Sequence, residues 1–195
     1  MRSIITLGAA LALATGMSQA ETSWSLDRSH SNVTFGVTHL VIAEVEGRFT
    51  DFNVTLTQPN PDTFVGASVN AEIKTASIST DNADRDKHLV SDDFLNAEKY
   101  PVIAFKSKKF ELTGKDTYKI HGDLTIRDIT KPVVLDARFT GSVKDPWGNT
   151  KAGFKATTTV DRFAYNVKWD KTIEDGGLVV GKDIEIRLLM ELKKN

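Results

Sequence analysis

VGASVNAEIK, residues 65–74, alternates without a break: Val65, Ala67, Val69, Ala71 and Ile73 fall on one side of an extended chain, and Gly66, Ser68, Asn70, Glu72 and Lys74 on the other. A two-residue period is that of a strand with one face buried and one in water. Working outward, the same period recurs in Val33, Phe35 and Val37, and in Phe52, Val54 and Leu56. It returns in Tyr118, Ile120, Gly122, Leu124 and Ile126, and again in Val133, Leu135, Ala137 and Phe139. Ala152, Phe154, Ala156 and Val160 repeat it, and Ile184, Ile186, Leu188, Met190 and Leu192 close the chain. Turn-rich runs at residues 58–62 and 145–149 separate these segments. Strands with a single apolar face pair antiparallel, and this spacing predicts a mainly all-β fold, a closed or nearly closed antiparallel barrel of about eight strands.

One stretch leaves that period. Residues 77–105, SISTDNADRDKHLVSDDFLNAEKYPVIAF, read as a short helical insert over about residues 80–95. Thr80 is placed to cap the helix, with Asp81 and Asp84 at the positive end of its dipole and Lys87 and His88 near the negative end. Asp81 with Arg85, and Asp84 with His88, have the i,i+4 spacing of pairs on one helix face. Ser91 reads as a second cap, Phe94 and Leu95 as an apolar plug, and Pro101 ends any helix before strand resumes at Val102.

Residues 1–20 have the form of a cleavable secretory signal: Arg2, an apolar run from Ile4 to Ala14, and Ser18-Gln19-Ala20 as the cleavage site. That run is too short to span a bilayer, so no stable membrane insertion is expected. Residues 21–195 are then one exported domain, with no repeat, linker or low-complexity tract. Without the leader, which holds Arg2 and no acid, 24 basic residues face 26 acidic ones, a net charge of −2. Charges alternate in sign, so nothing marks a nucleic-acid partner. The absence of cysteine excludes disulfides, thiol catalysis and thiolate metal sites. An exposed strand edge would allow pairing as a homodimer.

The interior can be read two ways. Ala67, Ala71, Gly122, Ala137, Ala152 and Ala156 are small inward residues, which would leave an apolar, elongated space. Alternatively Phe35, Phe52, Phe139 and Phe154 interdigitate with them and fill it. Periodicity leaves both open. Chemistry-bearing groups are sparse. His30, His39, His88 and His121 have no metal-ligand spacing, so no metal is expected. Ser68 lacks the second glycine of a nucleophile elbow. Arg85, Asp86 and His88 could form an acid–base group, but ion pairing on an exposed helix explains them more simply. No catalytic residue and no cofactor is expected.

Ordered motifs add to this reading. Ser77-Ile78-x-Thr80, Arg85-Asp86-x-His88-Leu89, Asp93-Phe94 and Tyr100-Pro101-x-Ile103-x-Phe105 follow Asp27, His30-Ser31, Phe35, His39 and Gly47-Arg48-Phe49. Gly122-Asp123-Leu124-Thr125-Ile126 and Thr130-Lys131-Pro132-Val133 come after. In this order, over nearly all of residues 21–195, the chain resembles the YceI-like family of secreted lipid-binding proteins. The resemblance implies a lipocalin-like barrel enclosing a long polyisoprenoid, quinone tail or fatty amide, and a periplasmic protein that binds, stores or shuttles it. A tunnel so implied would be lined by Phe35, Val37, Phe52, Val54, Val69, Ala71, Ile73 and Phe94. From the second half of the chain, Phe105, Leu124, Ile126, Leu135, Phe139, Phe154, Ala156, Trp169 and Leu188 would complete it. His30, Arg85, His88 or Lys168 would meet a polar head. Two places depart from the family pattern: Arg127-Asp128-Ile129 where a glycine is common, and Tyr165-Asn166 where a Phe-Gly run is. An accessory enzyme acting on a held quinone or isoprenoid, or a filled barrel that binds partners on its outside, remain the alternatives.

Overall fold

In a computed structural model, which describes residues 21–174 and 176–195, the chain forms eleven strands and one α-helix. The expected signal segment lies outside the described residues. The first half holds β1 Thr22–Leu26, β2 Asn32–His39, β3 Ala43–Phe49, β4 Phe52–Gln58, β5 Ser68–Lys74, β6 Ile78–Ser79 and α1 Ala83–Leu89. Then follow β7 Val102–Gly114, β8 Thr117–Ile126, β9 Ile129–Lys144, β10 Thr150–Asp161 and β11 Val180–Lys194. Every pairing is antiparallel.

The ring has eight members because three of them are kinked. One edge of β11 pairs with β1 at its C-terminal end and with β2 further back, so β1 and β2 act as one broken strand. β3 and β4 pair with β2 and β1 in the same way, and β6 and β5 with β3 and β4. These three and the five unbroken strands β7 to β11 close on themselves through β1 and β11. The break between β1 and β2 is bridged by a side chain: Ser31 Oγ accepts from Glu191 N–H at 2.9 Å and donates to Glu191 O at 3.3 Å. The fold is the lipocalin-like antiparallel barrel with a short helix. Residues 43–47 of β3, beyond the β6 pair, are one short open edge. Glu44 and Glu46 line it and bind Arg187 at 2.9 and 2.8 Å; such charges discourage edge-to-edge pairing. Among the described residues no helix is long and apolar enough to cross a membrane.

Alternation sets the inward face almost everywhere, with corrections at element ends. The strand expected from Val65 begins at Ser68, because Gly66 turns with φ of 81° and leaves Val65 exposed. The helix is shorter than expected, and its cap is Asn82, whose side chain accepts from Arg85 N–H. Thr80 Oγ1 instead donates to Asp86 and accepts from Arg85 Nε at 2.7 Å. Asp81, at φ 58°, pairs across the sheet with Arg48 rather than Arg85, and His88 pairs with Asp93 rather than Asp84. Ser91 does not cap a second helix; its hydroxyl donates back to His88 O. Glycine is required where a ring crosses the wall. A Cβ at Gly47 would lie 2.3 Å from Phe35 Cζ, and one at Gly122 2.5 Å from Phe105 Cζ.

Candidate functional site

The two ends of the barrel are built differently. At the end holding the β4–β5 and β9–β10 connections, aromatic side chains fill the interior. Trp24 Nε1 donates to Gln58 Oε1 at 3.0 Å, and Gln58 Nε2 donates to Pro61 O and Thr63 O, which pins the loop that carries Phe64. Phe64 then turns inward against Phe154 at 4.8 Å, Phe139 at 5.2 Å, and Trp24 and Tyr118 at 6.4 Å between ring centroids. Edge and tilted contacts of this kind are favourable, and they plug this end.

Beyond the plug the barrel is hollow. A cavity of about 250 Å³ runs toward the other end, and its accessible wall is entirely apolar. Ala71, Ala137 and Ala156 contribute to it, whereas Ala67 and Ala152 are packed in the plugged half. Both readings of the interior therefore hold, each for one end. Leu89, Phe94 and Leu95 of the insert cover the cavity from above. A second cavity of about 200 Å³ adjoins it and shares Phe35, Val37, Leu89, Phe94 and Val180. Polar side chains gather here, Thr38, His39, Thr80, Arg85 and His88, whereas the deep cavity has fewer, with Thr34, Thr158 and Arg162 among its lining residues. The His88 ring stands edge-on to Phe94 at 4.9 Å and to Trp169 at 5.8 Å.

Two arginines fasten this mouth. Arg127, in the β8–β9 turn with φ of 57°, donates from Nη1 to Phe94 O at 3.1 Å and to Asn166 O at 2.7 Å. It ties the lid to the segment after β10. Arg162 is only 5% exposed, lies in the cavity wall and, among the described residues, has no carboxylate bonded to it. Its guanidinium donates to Val167 O at 2.8 Å, Gly181 O at 2.9 Å and Val180 O at 2.9 Å. The β2–β11 register shifts between Val180 and Ile184, so Arg162 serves two carbonyls at a break in the ladder. Burial pushes its pKa down, and burial pushes the Tyr165 phenol up.

Placement of the residues expected from the sequence is mixed. Phe139 lines neither of these cavities and belongs to the plug, because its ring is taken by Phe64 and Phe154. Trp169 lies at the mouth and not in the deep cavity. Every other residue expected along a tunnel lines the deep cavity. Of the head-group candidates, Arg85 and His88 line the mouth. Lys168 is exposed and lines neither cavity. His30 is on the outer wall, 3.3 Å from Asp27 Oδ1 and 3.8 Å from Glu191 Oε1. With those two it is the one cluster of potential metal ligands among the described residues, but Lys151 already bonds both carboxylates. The Lys151 ammonium holds the Asp27 carboxyl well below the usual carboxylate range. Arg85, Asp86 and His88 do not form one group: Asp86 turns to Thr80, and His88 to Asp93. Arg162, Val167 and Val180 line the cavity without any sequence signal for it, and Tyr165, an aromatic suited by the sequence to the barrel mouth, lines it as well. The first three lie outside the regular alternation, and only a buried arginine's need for partners marks one of them.

A family model described as a YceI-like domain matches residues 24–192. A UPF0312 protein of Pseudomonas putida is 38% identical over 166 residues, covering 84% of this chain and 85% of that one. Among solved structures, a Campylobacter jejuni YCEI protein is 32% identical with a TM-score of 0.69, over 87% of this chain and 96% of that one. A polyisoprenoid binding domain from Saccharophagus degradans, implicated in plant cell wall breakdown, has a TM-score of 0.64 over 88% and 98%, at 10% identity.

Proposed function

We propose that this chain, which belongs to the YceI-like family, binds a long-chain isoprenoid or similar amphiphile in its barrel and sequesters or carries it through the periplasm. The single observation that carries this reading is the cavity with its apolar accessible wall, plugged at one end and opening at the other into a vestibule richer in polar side chains. Such a space takes a tail and leaves a head at the mouth. Each methylene leaving water contributes roughly 0.8 kcal/mol before ordering costs, so a long tail binds tightly with no reacting residue. Arg85 and His88 are placed to meet a phosphate, carbonyl or hydroxyl there. The Saccharophagus degradans domain of the same fold is described as binding polyisoprenoids, which agrees in ligand class. Binding is favoured over catalysis because Asp86 does not orient His88, so the acid–base group considered from the sequence is not assembled. Export would follow from the signal segment, and the lack of any cofactor from the apolar wall.

The test is chemical. The chain is expressed in a Gram-negative host, purified without detergent from the periplasmic fraction, extracted with organic solvent and analysed by mass spectrometry. A long-chain isoprenoid or quinone at about one per chain supports the reading and names the ligand. No bound lipid, together with no uptake of added prenyl lipids, overturns it.

A further inference from the structure

Apolar side chains stand out at both ends of the barrel. The β9–β10 turn carries Trp147, 84% exposed, at the plugged end. The β2–β3 turn carries Leu40, Val41 and Ile42 at the mouth, exposed by 37, 61 and 88%. Leu40 and Val41 hold φ of 50° and 66°. A tight hairpin turn demands that region, and Asn-Gly meets the demand without strain. A β-branched valine there is an outlier, so the turn itself does not account for these residues. The tip also leads into the site. Val37 and Val45, on the strands below it, line the vestibule. Leu40 N–H donates to Val179 O at 2.9 Å, and Val41 rests on Gly177, where an added Cβ would lie 2.7 Å from its Cγ2.

From this continuity we propose that Leu40, Val41 and Ile42 form a finger that inserts into a lipid bilayer and sets the vestibule against it. An amphiphile would then pass between bilayer and barrel along apolar surface without crossing water. The proposal rests on the carrier reading above. Three features favour a bilayer over a protein partner. The tip is wholly aliphatic and offers none of the Trp, Tyr or Arg that anchor protein interfaces. Two of the three tip N–H groups, those of Leu40 and Ile42, are already bonded, to Val179 O and His39 O, which lowers the cost of taking this backbone out of water. Along the sequence of this segment Lys168, Lys171 and Lys182 alternate with Asp170, Glu174, Asp175 and Asp183, so no excess of positive charge selects an anionic surface. Insertion should therefore not depend on lipid charge.

Vesicle flotation tests this with the full chain, a triple variant Leu40→Asn, Val41→Gly and Ile42→Ser, and a control Trp147→Ser, all sharing one N-terminus. The triple variant carries better turn chemistry, so it should melt at or above the parent temperature. Expected is at least a tenfold loss of co-flotation with dioleoylphosphatidylcholine vesicles, and loading of geranylgeraniol from those vesicles at least tenfold slower. Uptake of geranylgeraniol from solution should be unchanged, the control should behave as the parent, and added phosphatidylglycerol should change flotation by less than twofold. Equal flotation of parent and triple variant, or flotation that needs the anionic lipid, overturns the finger. A parent that floats while the triple variant does not, with no prenol taken up by either, supports the finger and sinks the carrier reading instead.

Discussion

Two alanines on one strand separate the hollow and the filled barrel. Ala152 and Ala156 both face inward from β10, about 14 Å apart at the rise of an antiparallel strand. Ala156 lines the cavity and pairs with Ala137 and Leu188. Ala152 is 1% exposed and pairs with Leu192, itself one of the most buried side chains. Replacing Ala156 with Phe adds a six-carbon ring to space that a ligand tail would use. Displacing about six methylenes removes roughly 5 kcal/mol of transfer free energy, more than a thousandfold in Kd. The small Ala137 opposite leaves the ring room, so the melting temperature should stay within about 3 °C. Ala152→Phe meets no free volume, and overpacking should cost about 3 kcal/mol, a fall of about 6–12 °C in Tm for a domain of this size. Thermal unfolding by circular dichroism and titration with geranylgeraniol read the two effects separately. Ala156→Phe that still binds within tenfold of the parent refutes the claim that the tail occupies this space. Equal melting temperatures for the two variants would refute the division of the barrel into plug and cavity.

Other outcomes follow from the mouth and the outer wall. Arg162→Met leaves one buried and two partly buried carbonyls without donors, which should cost about 3 kcal/mol and lower Tm by about 6–12 °C, measured by calorimetry. A shift below 2 °C would show that the guanidinium contributes nothing net. His88→Ala removes the ring that stands edge-on to both Phe94 and Trp169; it should alter Trp169 emission and weaken prenol binding by less than tenfold, since the deep wall is untouched. The Asp27–Lys151 pair should appear in the stability–pH curve. Asp27 is held low, so its contribution is present above about pH 4 and is lost as pH falls toward its folded value. Lys151 is held high, so its contribution is present below about pH 10 and is lost as pH rises through its folded value. Denaturant titrations of Lys151→Met across both ranges should show a flatter curve; an unchanged slope below pH 4 would remove the pair from the account.

Much of the barrel was legible because burial on one face imposes a period of two, and that period survives in the sequence. It located the inward sets of β2, β4, β8, β10 and β11 and most of the cavity wall. It could not show that Phe64, in an irregular loop, turns inward and captures Phe139. Nor could it show that His30 lies on the outer wall while His88 lies at the mouth, since both positions follow from which strands pair. The expected helix is too long by about two and a half turns because Thr80 and Ser91 offer cap chemistry that the backbone uses otherwise. Thr80 bonds the Asp86 carboxylate, and Ser91 bonds the carbonyl of His88 in the last turn of α1. β3 escaped notice although Val45, Gly47 and Phe49 alternate with Glu44, Glu46 and Arg48, because glycine at the centre weakens the apolar face. That glycine is there to admit Phe35.

The seam between β1 and β11 has a kinetic consequence. Trp24 sits opposite Lys194, and Asn195 N–H donates to Ser23 O, contacts separated by about 170 residues of chain. Bringing such distant segments together is slow and is rewarded only when the ring is complete. A chain still lacking its final strand therefore has apolar faces but no enclosed space. The enclosed cavity depends on the C-terminal strand: with the seam open, its wall is incomplete.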